Sequence, residues 1–468
     1  MDLKMKINAV VADAFNVYPH FANTLPAQRA ALMHAIAMAL QANETELIHA
    51  AAKETHLPPA RLKTELNRTI LQWNQYADAC AAGKWLHISK DLSGPAPILK
   101  MNRALGPVVV FGASNFPFAY STPGGDTATA LAAGCPVIVK AHPAHPETSL
   151  LCAKLLQTVI EKEGFSPPIF QHVPDEGFET GALLVQHPLT AAVAFTGSFS
   201  GGKALYDLAQ ARPAPIPVFA EMGSVNPVVI LPEAQKDAEA LSGTLVQSLT
   251  ASAGQFCTNP GVWFLLQTTH TNHLLAALKK ALNKSQSEPM LHEEIAKSFS
   301  TKRKEVLASG MVDLLASAEA PGNDLFSIPT ISTTSAKKFI ANRMLREEIF
   351  GPYAVAVLCN NMQELAEALE AMDGQLTGTI QARSADEILV PEILEILERK
   401  CGRLVFNGVP TGVTVTEAMH HGGPFPATTD SRFTAVGADA ICRFVRPVCY
   451  QGWPGHLLPQ TLQSFIGT

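Results

Sequence analysis

Long apolar runs are missing from this chain: no stretch approaches the roughly 18 apolar residues a bilayer span requires, so membrane-spanning helices are excluded. Charge is scarce as well. Only 16% of the 468 residues are charged, and the net charge is −6 with Lys and Arg scattered. No basic stripe is left for nucleic acid or an anionic membrane surface. The eight cysteines (Cys80, Cys135, Cys152, Cys257, Cys359, Cys401, Cys442 and Cys449) include no C-x-x-C pair and no dense framework. Structural disulfides and a zinc site are thereby set aside. The stretch MDLKMKINAVVADAF is basic, but Asn8 and Asp13 interrupt its apolar part, so it does not read as a secretory signal. A reducing, cytoplasmic location is expected. Internal repeats, low-complexity tracts and a G-x-G-x-x-G fingerprint are all absent from the sequence.

What is present is a core-forming composition, 47% hydrophobic, with 33 prolines and 31 glycines spread over many turns. The length predicts about three domains at roughly 150 residues each. Residues 1–80 read mainly as helices, one of them starting at a capping-type Asn43. Around a Ser-Gly-Pro turn, residues 86–102 alternate as a two-stranded hairpin does. From residue 106 onward short β-rich runs (GPVVVFGA, CPVIVKAH, PIFQHVP, AAVAFTGS, PVFAEM) alternate with helical segments. That alternation predicts a parallel, doubly wound sheet, which binds ligands at the carboxyl ends of its strands. A second α/β region runs from NPVVILPEA to about residue 430, and the tail CRFVRPVCYQGW is again strand-like.

Three polar residues stand out. Cys257, in GQFCTNPG, lies among small and turn-forming residues, where a thiol nucleophile gains access. A lone Cys is more often a small buried hydrophobe. Glu221, in FAEMGSVNP, ends an apolar strand, where a carboxylate serves either as a general base or as a solvated turn residue. Asn115, in ASNFPFAY, lies just past a strand, positioned to donate to an oxyanion or simply to shape a turn.

Taken in order, FGASNFPFAYSTPGGDTATALAAGCPVIVKAHPAHP, AFTGS, AEMGSVNP, GQFCTNPG and EEIFGP resemble the aldehyde dehydrogenase superfamily over about residues 20–450. The resemblance implies an α/β fold: a Rossmann-type parallel-sheet coenzyme domain (1–85 and 103–222), an α/β catalytic domain (223–438) and a small β oligomerisation arm (86–102 and 439–468). It makes Cys257 the nucleophile, Asn115 the oxyanion donor beside the Cys257 backbone N–H, and Glu221 the base that activates the hydrolytic water. Retention of Glu221 argues against a CoA-acylating relative. For the cofactor it implies Lys140 at the adenosine ribose, Thr196, Gly197 and Ser198 near the nicotinamide and pyrophosphate, Glu348 on the nicotinamide ribose and Phe350 beside it. NAD-preferring relatives carry an acidic residue three positions after the lysine. Here that residue is Pro143, with His142 nearby, so NADP is the expected cofactor and NAD a possible one.

Within the superfamily, the motifs look most like the α-ketoglutarate semialdehyde (2,5-dioxopentanoate) dehydrogenases, with the NADP-dependent fatty-aldehyde branch as the competing reading. A small aldehyde is therefore the expected partner, and Arg103, Arg403 and Arg432 are candidate cations for its distal carboxylate. A non-catalytic protein that keeps the fold is the alternative of another class. His421 and Phe425, in the Gly/Pro-rich HHGGPFPATTD loop, are candidate substrate contacts, Phe425 equally being a packing residue. Neither His142 with His145 nor His420 with His421 has a matching ligand set, so no metal is expected. A homodimer or homotetramer is expected from the arm, since an isolated hairpin is marginal in water.

Overall fold

The computed structural model describes residues 2–94, 96–319 and 322–466, and divides into two compact units. The first comprises Met1–Glu221, Val415–His420 and Phe433–Thr468; the second comprises Met222–Thr414 and His421–Arg432. No helix among the described residues is long and apolar enough to cross a membrane.

The first unit opens with four helices, Leu3–Phe21, Pro26–Ala42, Glu44–Thr55 and Pro59–Ala82. Proline at the first position starts the second and fourth, and Gly83, at φ 69°, ends the last in the left-handed region that only glycine adopts freely. Asn43 does sit at the N-cap of Glu44–Thr55, but its side chain makes no capping bond there. It turns back instead and donates to the Ala39 carbonyl at 2.8 Å, closing the preceding helix.

Strand β1 (Ser89–Asp91) pairs antiparallel with β2 (Ile98–Ala104), as the alternation in 86–102 predicts. Pro95 of the connecting turn lies outside the described residues. Strands β3 (Val108–Phe111), β4 (Val137–Lys140), β5 (Phe170–Val173), β6 (Ala192–Thr196) and β7 (Val218–Glu221) form a parallel sheet in the order β5-β4-β3-β6-β7. The chain winds outward from β3 to β5, then returns to lay β6 against the other side of β3. Loops leaving neighbouring strands diverge at that reversal, opening a crevice at the carboxyl edge.

In the second unit, β8 (Val228–Ile230), β9 (Val262–Leu266), β10 (Asp313–Ser317), β11 (Thr330–Ser335), β12 (Tyr353–Cys359), β13 (Gln375–Gln381) and β14 (Cys401–Phe406) form a sheet ordered β10-β11-β12-β9-β8-β13-β14. Only the edge strand β10 runs antiparallel to its neighbour. Successive side chains point to opposite faces, and both faces are covered. Val229, Phe264, Val355 and Val357 enter one apolar cluster, while Val228, Trp263, Ala354 and Ala356 enter the other. Such double burial is why these strands read as unbroken apolar runs.

Strand β15 (Val445–Gln451) pairs antiparallel with β2 and completes a three-stranded sheet. The strand-like tail is shorter than its sequence suggests, because Ala438–Phe444 forms a 3₁₀ turn before it. Residues 467 and 468 of the proposed arm lie outside the described residues.

Candidate active site

The polar residues of the first unit collect where its parallel strands end. Asn115 is buried in the loop after β3. Within that loop Ala113 N–H donates to the Tyr120 carbonyl at 2.8 Å. The helix Pro59–Ala82 grips it from outside. Glu65 accepts from Phe118 N–H (2.8 Å) and Ala119 N–H (3.0 Å). Arg61 pairs with Glu65 at 2.5 Å, donates to the Asn115 carbonyl at 2.7 Å and lies 4.6 Å from the Phe116 ring centre. Arg68 donates to the Tyr120 hydroxyl at 2.9 Å. Residues four and seven apart share a helix face, so one stripe of Arg61, Glu65 and Arg68 fixes the whole loop. Sequence reasoning missed all three. Charged residues at helical spacing usually mark a solvated face, and only tertiary packing reveals the loop they hold.

Lys140 ends β4 and forms an ion pair with Asp175, two residues past β5. His142 Nδ1 accepts from Ala144 N–H at 3.0 Å, its ring stacks on buried His145, and Pro143 is exposed. Thr196, the last residue of β6, stands in register with Glu221, the buried last residue of β7. Gly197 N–H donates to the Glu221 carbonyl at 3.0 Å. Ser198 caps the helix Phe199–Gln210, its hydroxyl accepting from Gly201 N–H at 3.2 Å. Thr196, Gly197, Ser198 and Glu221 are thus brought together, beside a helix N-terminus that favours negative charge.

In the second unit, Cys257 follows three successive residues in the left-handed region: Ser252 (φ 51°), Ala253 (φ 53°) and Gly254 (φ 67°). Such backbone is costly and persists only where its surroundings over-determine it. Here they do. A Cβ on Gly254 would come 2.4 Å from the Gly351 carbonyl carbon, so only glycine fits. Ala253 N–H donates to Glu288 at 3.2 Å. Around the nucleophile itself the grips are neutral amides. Asn226 Nδ2 donates to the carbonyls of Cys257 (2.8 Å) and Asn259 (2.9 Å). Its Oδ1 accepts from Thr377 (2.9 Å) and Ser224 (3.0 Å), while Gln375 Oε1 accepts from Val225 and Asn226 N–H at 2.8 and 3.2 Å. Asn226 was not singled out in the sequence, although it stands in the same AEMGSVNP motif as Glu221.

Cys257 is half-buried, whereas burial pushes the thiols of Cys135 up to about 11 and of Cys359 and Cys401 up to about 12. Those core cysteines are packing residues. His421 Nε2 lies 3.8 Å from Cys257 Sγ, and His421 is buried. His421 therefore faces the sulfur, a role that its placement in a loop gave no means of specifying. Phe425, in the same loop, is 55% exposed.

Glu348 packs against the chain just after β7's end. A Cβ on Gly223 would come 2.5 Å from Glu348 Oε2, and Ser224 N–H approaches Glu348 Oε1 at 3.4 Å. Burial pushes the Glu348 carboxyl up to about 7. Glu348 and Phe350 line a pocket with Ser224, Phe256 and Asn259. The three arginines considered for a substrate carboxylate all have local partners. Arg432 pairs with Asp430 through two bonds (2.8 and 2.6 Å), Arg403 donates to the Pro410 and Gly412 carbonyls, and Arg103, on β2, donates to Asn23 at 2.6 Å.

Comparison with known proteins agrees with this arrangement. Residues 3–425 match the family described as "Aldehyde dehydrogenase family". The chain is 44% identical over 460 residues to alpha-ketoglutaric semialdehyde dehydrogenase 2 of Azospirillum brasilense, covering 97% of this chain and 87% of that protein. It is 38% identical to the alpha-ketoglutaric semialdehyde dehydrogenase of Acinetobacter baylyi, covering 98% and 89% respectively. Among solved structures, a 1-pyrroline-5-carboxylate dehydrogenase from Thermus with bound NAD superposes with a TM-score of 0.83 over 96% of this chain and 86% of that one, at 21% identity.

Proposed function

The chain belongs to the aldehyde dehydrogenase family, and from that premise we propose that it oxidises α-ketoglutarate semialdehyde to 2-oxoglutarate through a thioester on Cys257. It is an NAD(P)-dependent aldehyde dehydrogenase. The observation that carries the mechanism is the Cys257 thiol, half-buried on a strained turn, with His421 Nε2 3.8 Å from the sulfur. The substrate reading is supported by the two relatives named for that activity, each similar along nearly the whole chain.

The chain's residues fit a dinucleotide. In the first unit the carboxyl edge of the parallel sheet and the Ser198-capped helix offer the expected kind of phosphate site, and in the second the Glu348 carboxyl lies against Gly223, where a Cβ would collide. Lys140, His142, Pro143, Thr196, Gly197 and Ser198 are proposed to hold it in the first unit, Glu348 and Phe350 in the second. NADP is accepted as well as NAD, since Pro143 offers no carboxylate. When bound, the nicotinamide accepts the hydride that the aldehyde carbon loses.

His421 takes the Cys257 proton, and the thiolate adds to the aldehyde carbon. The Asn115 amide donates to the oxyanion so formed, an interaction worth about 3–4 kcal/mol of transition-state stabilisation for donors of this kind. Loss of hydride leaves the thioester. Glu221 then removes a proton from water, whose oxygen attacks the acyl carbon, frees the acid and returns sulfur to the thiolate.

A dicarboxylate semialdehyde needs a cation for its distal carboxylate. Arg68 is proposed alongside Arg103, Arg403 and Arg432, because it reaches Tyr120 in the loop that carries Asn115. Steady-state kinetics test the substrate. The semialdehyde should give a far higher kcat/KM than a long-chain aldehyde, and the reverse preference rejects the reading. Arg68→Met should raise KM for the semialdehyde by about tenfold or more, the scale of a charge-assisted hydrogen bond, and leave a neutral short aldehyde little changed. Tyr120→Phe separates loss of the loop contact from loss of the cation.

The 1–85 and 103–222 segments are proposed as the coenzyme domain, 223–438 as the catalytic domain, and 86–102 with 439–468 as an arm that builds a homodimer or homotetramer. Ile98, Trp453 and Leu457 leave apolar surface exposed on or beside the three-stranded sheet. Light scattering that found only monomer would refute the arm's role. A cytoplasmic location is proposed because a nucleophilic thiol needs a reducing compartment.

A further inference from the structure

Along the chain from Lys140, Pro143 supplies no carboxylate. The structure supplies one from the neighbouring strand. Strands β4 and β5 are parallel neighbours, with Lys140 in register with Val173. Asp175 lies two residues beyond that partner, so its carboxylate reaches across the sheet edge and pairs with Lys140 Nζ. Both side chains are mostly buried, at 14% and 21% exposure, which screens the pair from solvent. The adjacent Glu176 is engaged separately, with Lys6 at 3.3 Å. Asp175 is therefore the acidic group directed at the lysine.

We propose that Asp175 is a cofactor-selecting residue that favours NAD over NADP. The proposal rests on the reading of this carboxyl edge as the dinucleotide site. In parallel sheets of this winding the adenosine half lies over the strands on one side of the reversal, and an acidic residue there accepts hydrogen bonds from ribose hydroxyls. Asp175 accepts such bonds from a 2′-hydroxyl. Against a 2′-phosphate it acts twice: its negative charge repels the dianion, and it occupies the cation that would otherwise neutralise it. NADP binding thus requires the Lys140–Asp175 pair to open, whereas NAD binding does not. Selection resides in a pair formed across strands and not in the motif after the lysine.

The test is binding without turnover. Calorimetric Kd values for NAD, NADP, 5′-AMP and 2′,5′-ADP are measured on the intact protein and on Asp175→Asn and Asp175→Ala, with melting temperatures to confirm that each variant is folded. Wild type should bind NAD and 5′-AMP more tightly than NADP and 2′,5′-ADP. Both variants should tighten NADP and 2′,5′-ADP by at least about tenfold, the scale of a relieved like-charge contact, while NAD holds constant or weakens. The gain should shrink as salt is raised. Equal changes for all four ligands, or a wild-type preference for 2′,5′-ADP, would overturn the role of Asp175 while leaving the dinucleotide site intact. No binding of any of the four to wild type would remove the site and the inference together.

Discussion

Two loops carry the proposed chemistry, and they are held in opposite ways. The Asn115 loop is gripped by charge: Arg61, Glu65 and Arg68 reach it from one helix. At Cys257 itself the backbone clamps are neutral, with Asn226 on the Cys257 and Asn259 carbonyls and Gln375 behind it, and the charged Glu288 reaches the turn only farther back, at Ala253 N–H. The difference follows from what each loop must do. An oxyanion donor works by presenting fixed dipoles, and nearby cations assist a developing negative charge. A thiol that cycles between SH, thiolate and thioester needs a mount that holds one geometry through all three. Amide clamps provide that, because they carry no charge that would lock the sulfur in one ionisation state.

The comparison breaks most plainly if neither loop matters. Cys257→Ser should lower acid formation by about 10⁴-fold or more, as expected on removing a nucleophile, while the folded protein still binds dinucleotide. Reduced nicotinamide appearing at an undiminished rate would end the thioester reading. Asn115→Ala should lower kcat by about 10²- to 10³-fold with little change in KM. A rise in KM alone would mean that the amide binds substrate and does not stabilise the transition state. On the helix that grips this loop, Glu65→Ala strands the Arg61 charge and the Phe118 and Ala119 N–H groups. It should cost about 3 kcal/mol or more of stability, read by urea denaturation.

How much of this could be read beforehand depended on the range of the interaction. The parallel sheets were legible, because double burial writes itself as apolar runs such as Val108–Phe111 and Val262–Leu266. Cys257, Glu221 and Asn115 were legible as strand-end or turn residues within ordered motifs. What could not be read were partners supplied by distant segments. Arg61 is 54 residues from Asn115, and His421 is 164 from Cys257. Asp175 is hidden in the same way, since it meets Lys140 across the sheet from β5, 35 residues further along the chain. The cap at Asn43 shows the smaller failure: residue type marked the helix start, but the side-chain amide donates back to the Ala39 carbonyl and its oxygen accepts no N–H from the helix that follows.

A smaller effect sharpens the contrast within the neutral clamp. Asn226→Ala removes the side-chain donors to the Cys257 and Asn259 carbonyls and takes the Oδ1 acceptor from Thr377, while Ser224 keeps Gln375 Oε1. It should cost about 1–3 kcal/mol of stability and lower kcat more than it raises KM. Asn226→Asp restores the acceptor but adds a charge and removes the donors. If neutrality matters, that variant should be the worse of the two in kcat. An Asp variant more active than the Ala variant would show that the clamp needs an acceptor only.

The least effect concerns pH, and it tests whether the second unit treats its own carboxyl as it treats the sulfur. Glu65 is paired with Arg61, whereas burial raises the Glu348 carboxyl from 4.5 to about 7, only partly offset by the Ser224 N–H. A folded-state value above the unfolded one means that folding takes up a proton. The associated stability is complete below about 4.5 and is lost as pH rises through about 7. Glu348→Gln has no proton to lose, so its stability should fall less than that of wild type between those limits. The two proteins should differ most above pH 7, with the variant gaining on the wild type. Parallel stability curves for the cofactor-free proteins would mean that the Glu348 carboxylate is solvated there, and that the neutral setting of Cys257 does not extend to its neighbour.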